Sequence, residues 1–223
     1  DFLVPDASPN MARFREDPWF QALVRLARTP ATIEWLAAVW RRDEKIDGLP
    51  LAEPDEITLA QELAVREAPG WQDMLQAQEA RIANPDRRAR FAFVRPALDA
   101  DPAVRAAFFA RLAEVEQRRR EPWVLEALGY LHHPLRADAS ARFVAPALEM
   151  LEEIQRTGDI FFPKRWLDAT LGGHRTAQVA RTVRGYLEAR PDLSPRLRRL
   201  VLQSADELFR IADAARAGAG VAR

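Results

Sequence analysis

Cysteine is absent from the 223 residues of this sequence, so disulfide bonds, thiolate nucleophiles and thiolate metal sites are excluded. Lysine is almost absent, because only Lys45 and Lys164 of the 33 basic residues are lysine. We attribute this bias toward arginine to codon usage rather than to phosphate binding. No apolar run approaches the roughly 18 residues that a membrane-spanning helix needs, so the sequence predicts no membrane segment.

A basic excess, which is typical of nucleic-acid-binding proteins, is also missing. The 33 basic residues are balanced by 33 acidic residues, and the net charge is zero. Two short runs of arginine, 118–120 and 198–199, lie in helical sequence, and the first is surrounded by Glu114, Glu116 and Glu121. Such runs are expected on solvated helix faces, where arginine near a C-terminus suits the helix dipole. The sequence therefore predicts no nucleic-acid partner.

No complete catalytic motif is found. The three histidines are His132, His133 and His174, and none belongs to a His-Glu-x-x-His motif, in which two imidazoles one helical turn apart bind zinc. Adjacent histidines point to different sides of a helix, so we expect His132 and His133 to close a helix instead. A Gly-x-Ser-x-Gly elbow and a phosphate-binding glycine loop are absent as well. We predict no catalytic residue and no metal site in this chain.

Six dipeptides place a capping or acidic residue directly before proline, a pattern typical of helix starts. They are Asp17-Pro18, Thr29-Pro30, Asn84-Pro85, Asp101-Pro102, Glu121-Pro122 and Ser194-Pro195. The segments that follow carry apolar residues at spacings of three and four, as one face of a helix requires. Further helices are predicted at 55–67, 71–83, 86–99, 139–156, 163–172 and 175–189. No segment alternates long enough for a strand, so the fold is predicted to be all-α.

One short internal repeat indicates how the helices are arranged. The hexapeptide FVRPAL at 93–98 returns as FVAPAL at 143–148, and each copy carries a proline inside an apolar helical run. The two copies are 50 residues apart, and a period of about 40–50 residues is typical of HEAT and armadillo arrays. The sequence predicts a single domain over 1–223, a superhelix of stacked antiparallel helix pairs.

The stretch TGDIFFPKRWLDATLGGH, residues 157–174, concentrates aromatic and basic residues around one proline. Most of the tryptophans fall on apolar stripes and are expected in the core. Trp166 differs because Lys164 and Arg165 precede it. Two interpretations stay open: a helix entry that packs its own rings, as in a hydrophobic staple, or a binding surface.

This stretch, together with YLEARPDLSPRLRRLVLQSADEL, resembles the C-terminal helical domain of zinc aminopeptidases of the aminopeptidase N family. Three earlier segments agree with it: LPLAEPDEITLAQELAVRE, RIANPDRRARFAFVRPAL and EPWVLEALGYLHHPLR. The resemblance extends from about Phe14 to Arg210. In that family the zinc-binding motif lies in a separate catalytic domain. Because the sequence begins at Asp1 without Met, we expect a piece of a longer chain, with 1–15 as a linker from upstream domains.

The resemblance implies a non-catalytic cap domain that gates and shapes the peptide-substrate chamber of a zinc-dependent aminopeptidase. Its implied partners are the catalytic domain of the same parent chain and the peptide substrate, and zinc belongs to the parent enzyme alone. Lys164, Arg165, Trp166 and His174 are the candidates to face the substrate or the neighbouring domain. The parent is expected to be bacterial, in the cytoplasm or the cell envelope. The alternative function is a free-standing HEAT-like scaffold for protein interactions.

Overall fold

The computed structural model describes residues 18–221, and this part of the chain is all-α with no β-strand, which confirms the predicted class. The predicted linker at 1–15 lies outside the described residues. None of the described helices is long and apolar enough to cross a bilayer. The helices are α1 (Pro18–Leu26), α2 (Pro30–Arg41), α3 (Glu53–Val65), α4 (Trp71–Arg81), α5 (Pro85–Leu98), α6 (Pro102–Arg111), α7 (Glu121–Leu131), α8 (Ala137–Ser140), α9 (Val144–Glu149), α10 (Leu151–Thr157), α11 (Phe162–Leu171), α12 (Ala177–Glu188) and α13 (Pro195–Val221).

The proline dipeptides begin helices as predicted. Five helices start at the proline itself, and α7 starts one residue earlier, at Glu121. Thr29 Oγ1 accepts a hydrogen bond from Thr32 N at 3.2 Å, and Asp101 Oδ1 accepts one from Ala103 N at 2.7 Å. These side chains satisfy first-turn N–H groups that have no partner within the helix. Proline at the next position sacrifices no helical hydrogen bond.

The chain divides into two compact units, one up to Phe91 and one from Ala92. In the first unit α3 packs against α1, α2 and α4, with Leu59 and Leu63 buried at these contacts. Trp40 donates its indole N–H to Gln78 Oε1 at 2.8 Å, which satisfies one buried polar group between α2 and α4. The prediction of a single domain stays a prediction.

Helix α11 lies at the centre of the second unit. It packs against α7, α9, α10 and α13, while α12 packs against α9 and α13. The buried stripes that meet there include Leu128, Leu148, Leu167, Val183 and Val201. Removing these apolar side chains from water is the main source of stability for this unit.

The single helix predicted over 139–156 is broken. The structure has the short helix α8, a 3₁₀ turn at Ala141–Phe143, and then α9 and α10, which are separated only by Met150. Pro146 explains the interruption before α9, since proline lacks an N–H and its ring clashes with the carbonyl group of residue 142 in a continuous helix. Pro146 instead occupies the first turn of α9, where its missing N–H costs nothing.

The repeated hexapeptides have the same pattern of burial. Val94, Ala97 and Leu98 in the first copy and their counterparts Val144, Ala147 and Leu148 in the second all have no exposed area. Pro96 stays inside α5, whereas Pro146 lies near the start of α9. The two copies thus share core positions but differ in the helix around the proline, and the superhelical arrangement stays a prediction.

Candidate functional site

A hydrogen-bonded turn connects α10 to α11, and Asp159 organises it. Its backbone N–H donates to Glu121 Oε1 at 2.7 Å, and its carboxylate accepts the N–H of Phe161 at 2.8 Å. Its carbonyl oxygen accepts the N–H of Phe162 at 3.0 Å. Arg196 of α13 donates to the carbonyl group of Ile160 at 2.9 Å. The turn is therefore attached to both α7 and α13.

This rigid turn exposes two large apolar side chains. Ile160 is 62% exposed and Phe161 is 61% exposed, whereas the adjacent Phe162 is buried. Phe162 packs edge-to-face against Trp166, with ring centroids 6.0 Å apart. One Phe of this stretch therefore enters the core, as a helix entry that packs its own rings requires, and its neighbour faces solvent. The binding-surface interpretation stays a prediction.

Arg165 and Lys164 differ in how their charges are used. The Arg165 guanidinium lies over the Phe161 ring, 5.8 Å from its centroid, and the residue is exposed. Lys164 Nζ instead contacts both carboxylate oxygens of Asp168, at 2.5 and 2.6 Å, and Ser204 Oγ donates to the same carboxylate at 2.8 Å. We call the two exposed apolar residues Ile160 and Phe161, together with Arg165, which covers the Phe161 ring, the apolar tip. Lys164 is not included, because its charge is paired with Asp168.

The other two predicted site residues are interior. Trp166 has no exposed area, and its indole N–H donates to the carbonyl oxygen of Ala147 at 3.1 Å. His174 is also fully buried. Neither side chain offers a surface to a substrate or to another domain, so only Lys164 and Arg165 of the four candidates lie at the surface.

His174 is buried because it pairs with His132. His132 Nδ1 lies 2.9 Å from His174 Nε2, and the rings meet edge-to-face with centroids 5.1 Å apart. One nitrogen donates and the other accepts, so at least one of the two rings is neutral. The outer nitrogens, His132 Nε2 and His174 Nδ1, are buried without a hydrogen-bond partner.

Burial favours the neutral form of both histidines. Burial, reinforced by the neighbouring His174, lowers the pKa of His132 to about 3. Burial also lowers the pKa of His174; the positive charge of Arg175 adds to this effect and the carboxylate of Asp138 opposes it. Desolvation is the main cause in each case because a charged imidazole loses its hydration in the core.

Gly173 makes the histidine pair possible. A Cβ atom at this position would lie 1.7 Å from the carbonyl oxygen of His132, a distance that no side chain tolerates. The end of α7 and the turn after α11 therefore approach through their backbones, and the next residue, His174, reaches His132. His132 lies at the end of α7, as the sequence predicts, but the pairing is not predicted. The two glycines before His174 are the one sequence signal that points to it.

The arginine run at 118–120 is not uniformly solvated, and the predicted solvated face is wrong for its first member. Arg118 is buried, donates to the carbonyl oxygen of Leu112, and donates to Glu153 Oε2 at 2.6 Å. Arg119 is exposed and pairs with Glu116 at 2.7 Å, three residues away on the surface. Arg118 is the last residue of a 3₁₀ helix at Val115–Arg118 and Arg119 lies beyond its end, so the run does not form one helix face.

Among the described residues, no group of three or more His, Asp or Glu side chains is placed to hold a metal ion. Comparison with known proteins gives no match: no family model fits the chain, and no curated protein or solved structure shows significant similarity to it. The geometry of the apolar tip is therefore the main structural basis for a functional argument.

Proposed function

We propose that this chain is the non-catalytic C-terminal cap domain of a zinc-dependent aminopeptidase, where it gates and shapes the peptide chamber. The support comes from the sequence resemblance and from an all-α fold of the kind that the resemblance implies. The proposed arrangement is a superhelix of stacked helix pairs. In this proposal zinc and the reacting groups belong to the catalytic domain of the parent enzyme.

The apolar tip is the observation that carries the proposal. Isolated exposed apolar residues are normal, but two adjacent ones on a turn fixed by hydrogen bonds form a preorganised contact surface. Phe161 and Arg165 are also residue types that are enriched at protein interfaces. The tip lies within the 157–174 stretch, one of the segments on which the resemblance to the family rests.

The proposed partners follow from this surface. The tip contacts the catalytic domain of the same parent chain, and the adjoining helices limit the space open to a peptide substrate. Of the four predicted candidates, Arg165 contributes directly to the tip and Lys164 borders it, while Trp166 and His174 hold the underlying core.

The reading frame of the parent gene provides the first test. We expect it to encode a His-Glu-x-x-His motif, followed by a more distant Glu, upstream of Asp1. A complete upstream frame without that motif would contradict the aminopeptidase assignment. It would leave the free-standing interaction scaffold as the better function.

The purified chain provides the second test. We expect no hydrolysis of aminoacyl chromogenic substrates, with or without added zinc, because the proposal places every catalytic group elsewhere. Turnover that persists through repeated purification and follows the protein peak would show that this chain holds an active site.

The third test uses the parent enzyme with Ile160 and Phe161 both replaced by serine. If the tip contacts the catalytic domain, this variant should lower the melting temperature of the parent and change its relative rates on short and long peptides. Leu202→Ser is the matched control, since Leu202 is 46% exposed on α13. Equal behaviour of the two variants would mean that the tip does not contact the catalytic domain.

A further inference from the structure

The first compact unit contains a partly open cavity of about 440 Å³. It lies between the end of α2, the loop at 43–52 and the first turn of α3. This volume is at the small end of the range for ligand-binding pockets, roughly 300–1,000 Å³. The apolar tip belongs to the other unit, so the cavity is independent of the function proposed above.

Apolar side chains form most of the wall. Val39 contributes from the last turns of α2, while Ile46, Leu49 and Leu51 contribute from the loop. The three loop side chains are half-buried, so each keeps an apolar surface facing the cavity and solvent. An aliphatic or aromatic group of about four to seven carbon atoms would bury this surface, at a gain of about 0.8 kcal/mol per buried CH₂ group.

The guanidinium group of Arg42 lies at the rim of the cavity, and only some of its N–H donors have an acceptor. Its Nε donates to Glu56 Oε1 at 3.0 Å, and its Nη2 donates to both oxygens of that carboxylate, at 2.8 and 3.1 Å. Its Nη1 has no acceptor among the described residues, and the side chain is 64% exposed. Glu56 is buried and fixes the guanidinium in place. Nη1 therefore keeps its N–H donors for a second carboxylate.

Acidic side chains lie on the same rim. Glu44 and Asp47 line the cavity beside Lys45, and no hydrogen bond ties either carboxylate to another side chain among the described residues. With Arg42 and Glu56 included, the cavity has groups of both signs around an apolar wall. A ligand with one charge would match only part of this rim.

We propose that this cavity binds a small apolar zwitterion, of which free leucine is the simplest example. The carboxylate accepts from Arg42 Nη1, the ammonium group lies near Glu44 or Asp47, and the side chain packs against Ile46 and Leu49. Small ligands of this size reach dissociation constants on the order of 1 mM when most of their atoms make contact.

Calorimetry or ligand-observed NMR on the full chain tests the proposal with a series of compounds. Leucine should bind, and glycine should not, because it lacks the apolar group. N-acetylleucine and leucinamide each remove one charge, so each should bind about tenfold more weakly than leucine. Equal binding of leucine and 4-methylpentanoate would show that the ammonium group makes no contact, which would overturn the zwitterion proposal.

Two arginine variants locate the site. Arg42→Lys keeps the positive charge and the pairing with Glu56 but loses the planar guanidinium whose Nη1 donates to the ligand, so it should weaken leucine binding about tenfold. Arg41→Lys is the matched control, because the Arg41 side chain pairs with Glu34 and Asp43 and does not line the cavity. Thermal melts of both variants show whether each is folded.

Leu49→Ala tests the apolar wall without changing any charge. It should reduce leucine binding several-fold and reduce binding of the larger phenylalanine less, because the shortened side chain enlarges the cavity. The proposal would be overturned if the wild-type protein did not bind leucine. It would also be overturned if wild type, Arg42→Lys and Leu49→Ala all bound leucine equally well.

Discussion

The histidine pair is one buried contact through which acid should affect the stability of the chain. His132 and His174 satisfy each other through one hydrogen bond and leave two outer nitrogens without partners. The two neutral rings carry two N–H groups, one in the hydrogen bond between the rings and one on an outer nitrogen. Protonation of either ring adds a second unsatisfied buried donor, which costs about 1–3 kcal/mol, and a buried charge. The pair is therefore most stable while both rings are neutral.

Acid should destabilise the protein through this pair. The pKa of His132 falls from 6.5 to about 3 on folding, so the unfolded chain binds more protons between those values. The contribution is fully present above about pH 6.5, and the free energy of unfolding should fall by about 1 kcal/mol per pH unit below it. Urea denaturation of wild type and His132→Asn from pH 7 to pH 4 measures the effect.

The control for the pH experiment is His133→Asn. His133 Nδ1 accepts the backbone N–H of Leu135, a capping role that asparagine can take over. This variant should keep the wild-type slope, whereas His132→Asn should be less stable at pH 7 and have a flatter profile. Parallel profiles for wild type and His132→Asn would contradict our account of the pair.

Gly173→Ala should be severely destabilising. The added methyl group would meet a backbone carbonyl oxygen 1.7 Å away, so the turn must separate from the end of α7 and the histidine contact is lost. We expect a loss of at least about 3 kcal/mol in the free energy of unfolding. Gly185→Ala is the control, because a Cβ at Gly185 in α12 meets nothing within 4 Å. It should stabilise by about 0.5–1 kcal/mol, and similar results for both variants would contradict the prediction.

At the scale of helices, buried arginines satisfy carbonyl groups at C-terminal ends. Arg66 donates to Val24 O and Ala27 O at the end of α1, and Arg136 donates to Leu98 O at the end of α5. Such carbonyl groups have no partner within their own helix. A guanidinium can reach several of them because its five donors lie in one plane, whereas a lysine ammonium is a compact point charge. The preference for arginine over lysine, which we attributed to codon usage, therefore has a structural role as well.

Arg118→Met should separate this structural role from ordinary surface charge. It leaves Leu112 O without its donor and Glu153 without its cation. Because Glu153 stays one-third exposed, we expect a loss of about 2–3 kcal/mol rather than the full cost of a buried unpaired charge. Chemical denaturation with Arg119→Met as control measures the difference. The control removes an exposed ion pair, worth less than about 1 kcal/mol, and an equal loss in both variants would refute the assignment.

At the scale of the whole molecule, charge balance argues against nucleic-acid binding. The net charge is zero, and arginines from both basic runs donate to internal carbonyl groups, as Arg118 and Arg198 do. Cations used in this way are not available to neutralise phosphates, the interaction that dominates binding to DNA.

We therefore expect no shift of a duplex DNA probe in an electrophoretic assay, even at low salt, where phosphate contacts are strongest. A basic DNA-binding domain run in parallel provides the positive control. A salt-sensitive shift at micromolar protein would contradict the prediction and restore the nucleic-acid hypothesis.

Local chemistry explains how far the sequence predicts the fold. The predicted helices at 55–67, 71–83, 86–99, 163–172 and 175–189 agree with α3, α4, α5, α11 and α12 to within two residues at each end. Prolines, capping residues and apolar spacing affect the backbone within one or two helical turns, so the sequence alone predicts the helices that they define. The prediction fails at 139–156, where the apolar periodicity continues but the backbone forms a 3₁₀ turn at Ala141–Phe143. The ring of Pro146 would clash with the carbonyl group of residue 142 if the helix were continuous there.

The sequence by itself determines the all-α class, the helix starts at proline and the apolar stripes, because each depends on neighbours along the chain. Only the tertiary structure decides which side chains of 157–174 face solvent. Phe161 and Phe162 are identical and adjacent, yet one is exposed and the other is buried, since the Asp159 turn and α13 fix their directions. The pairing of His132 with His174 is likewise decided by packing, because it joins residues that are 42 positions apart in the chain.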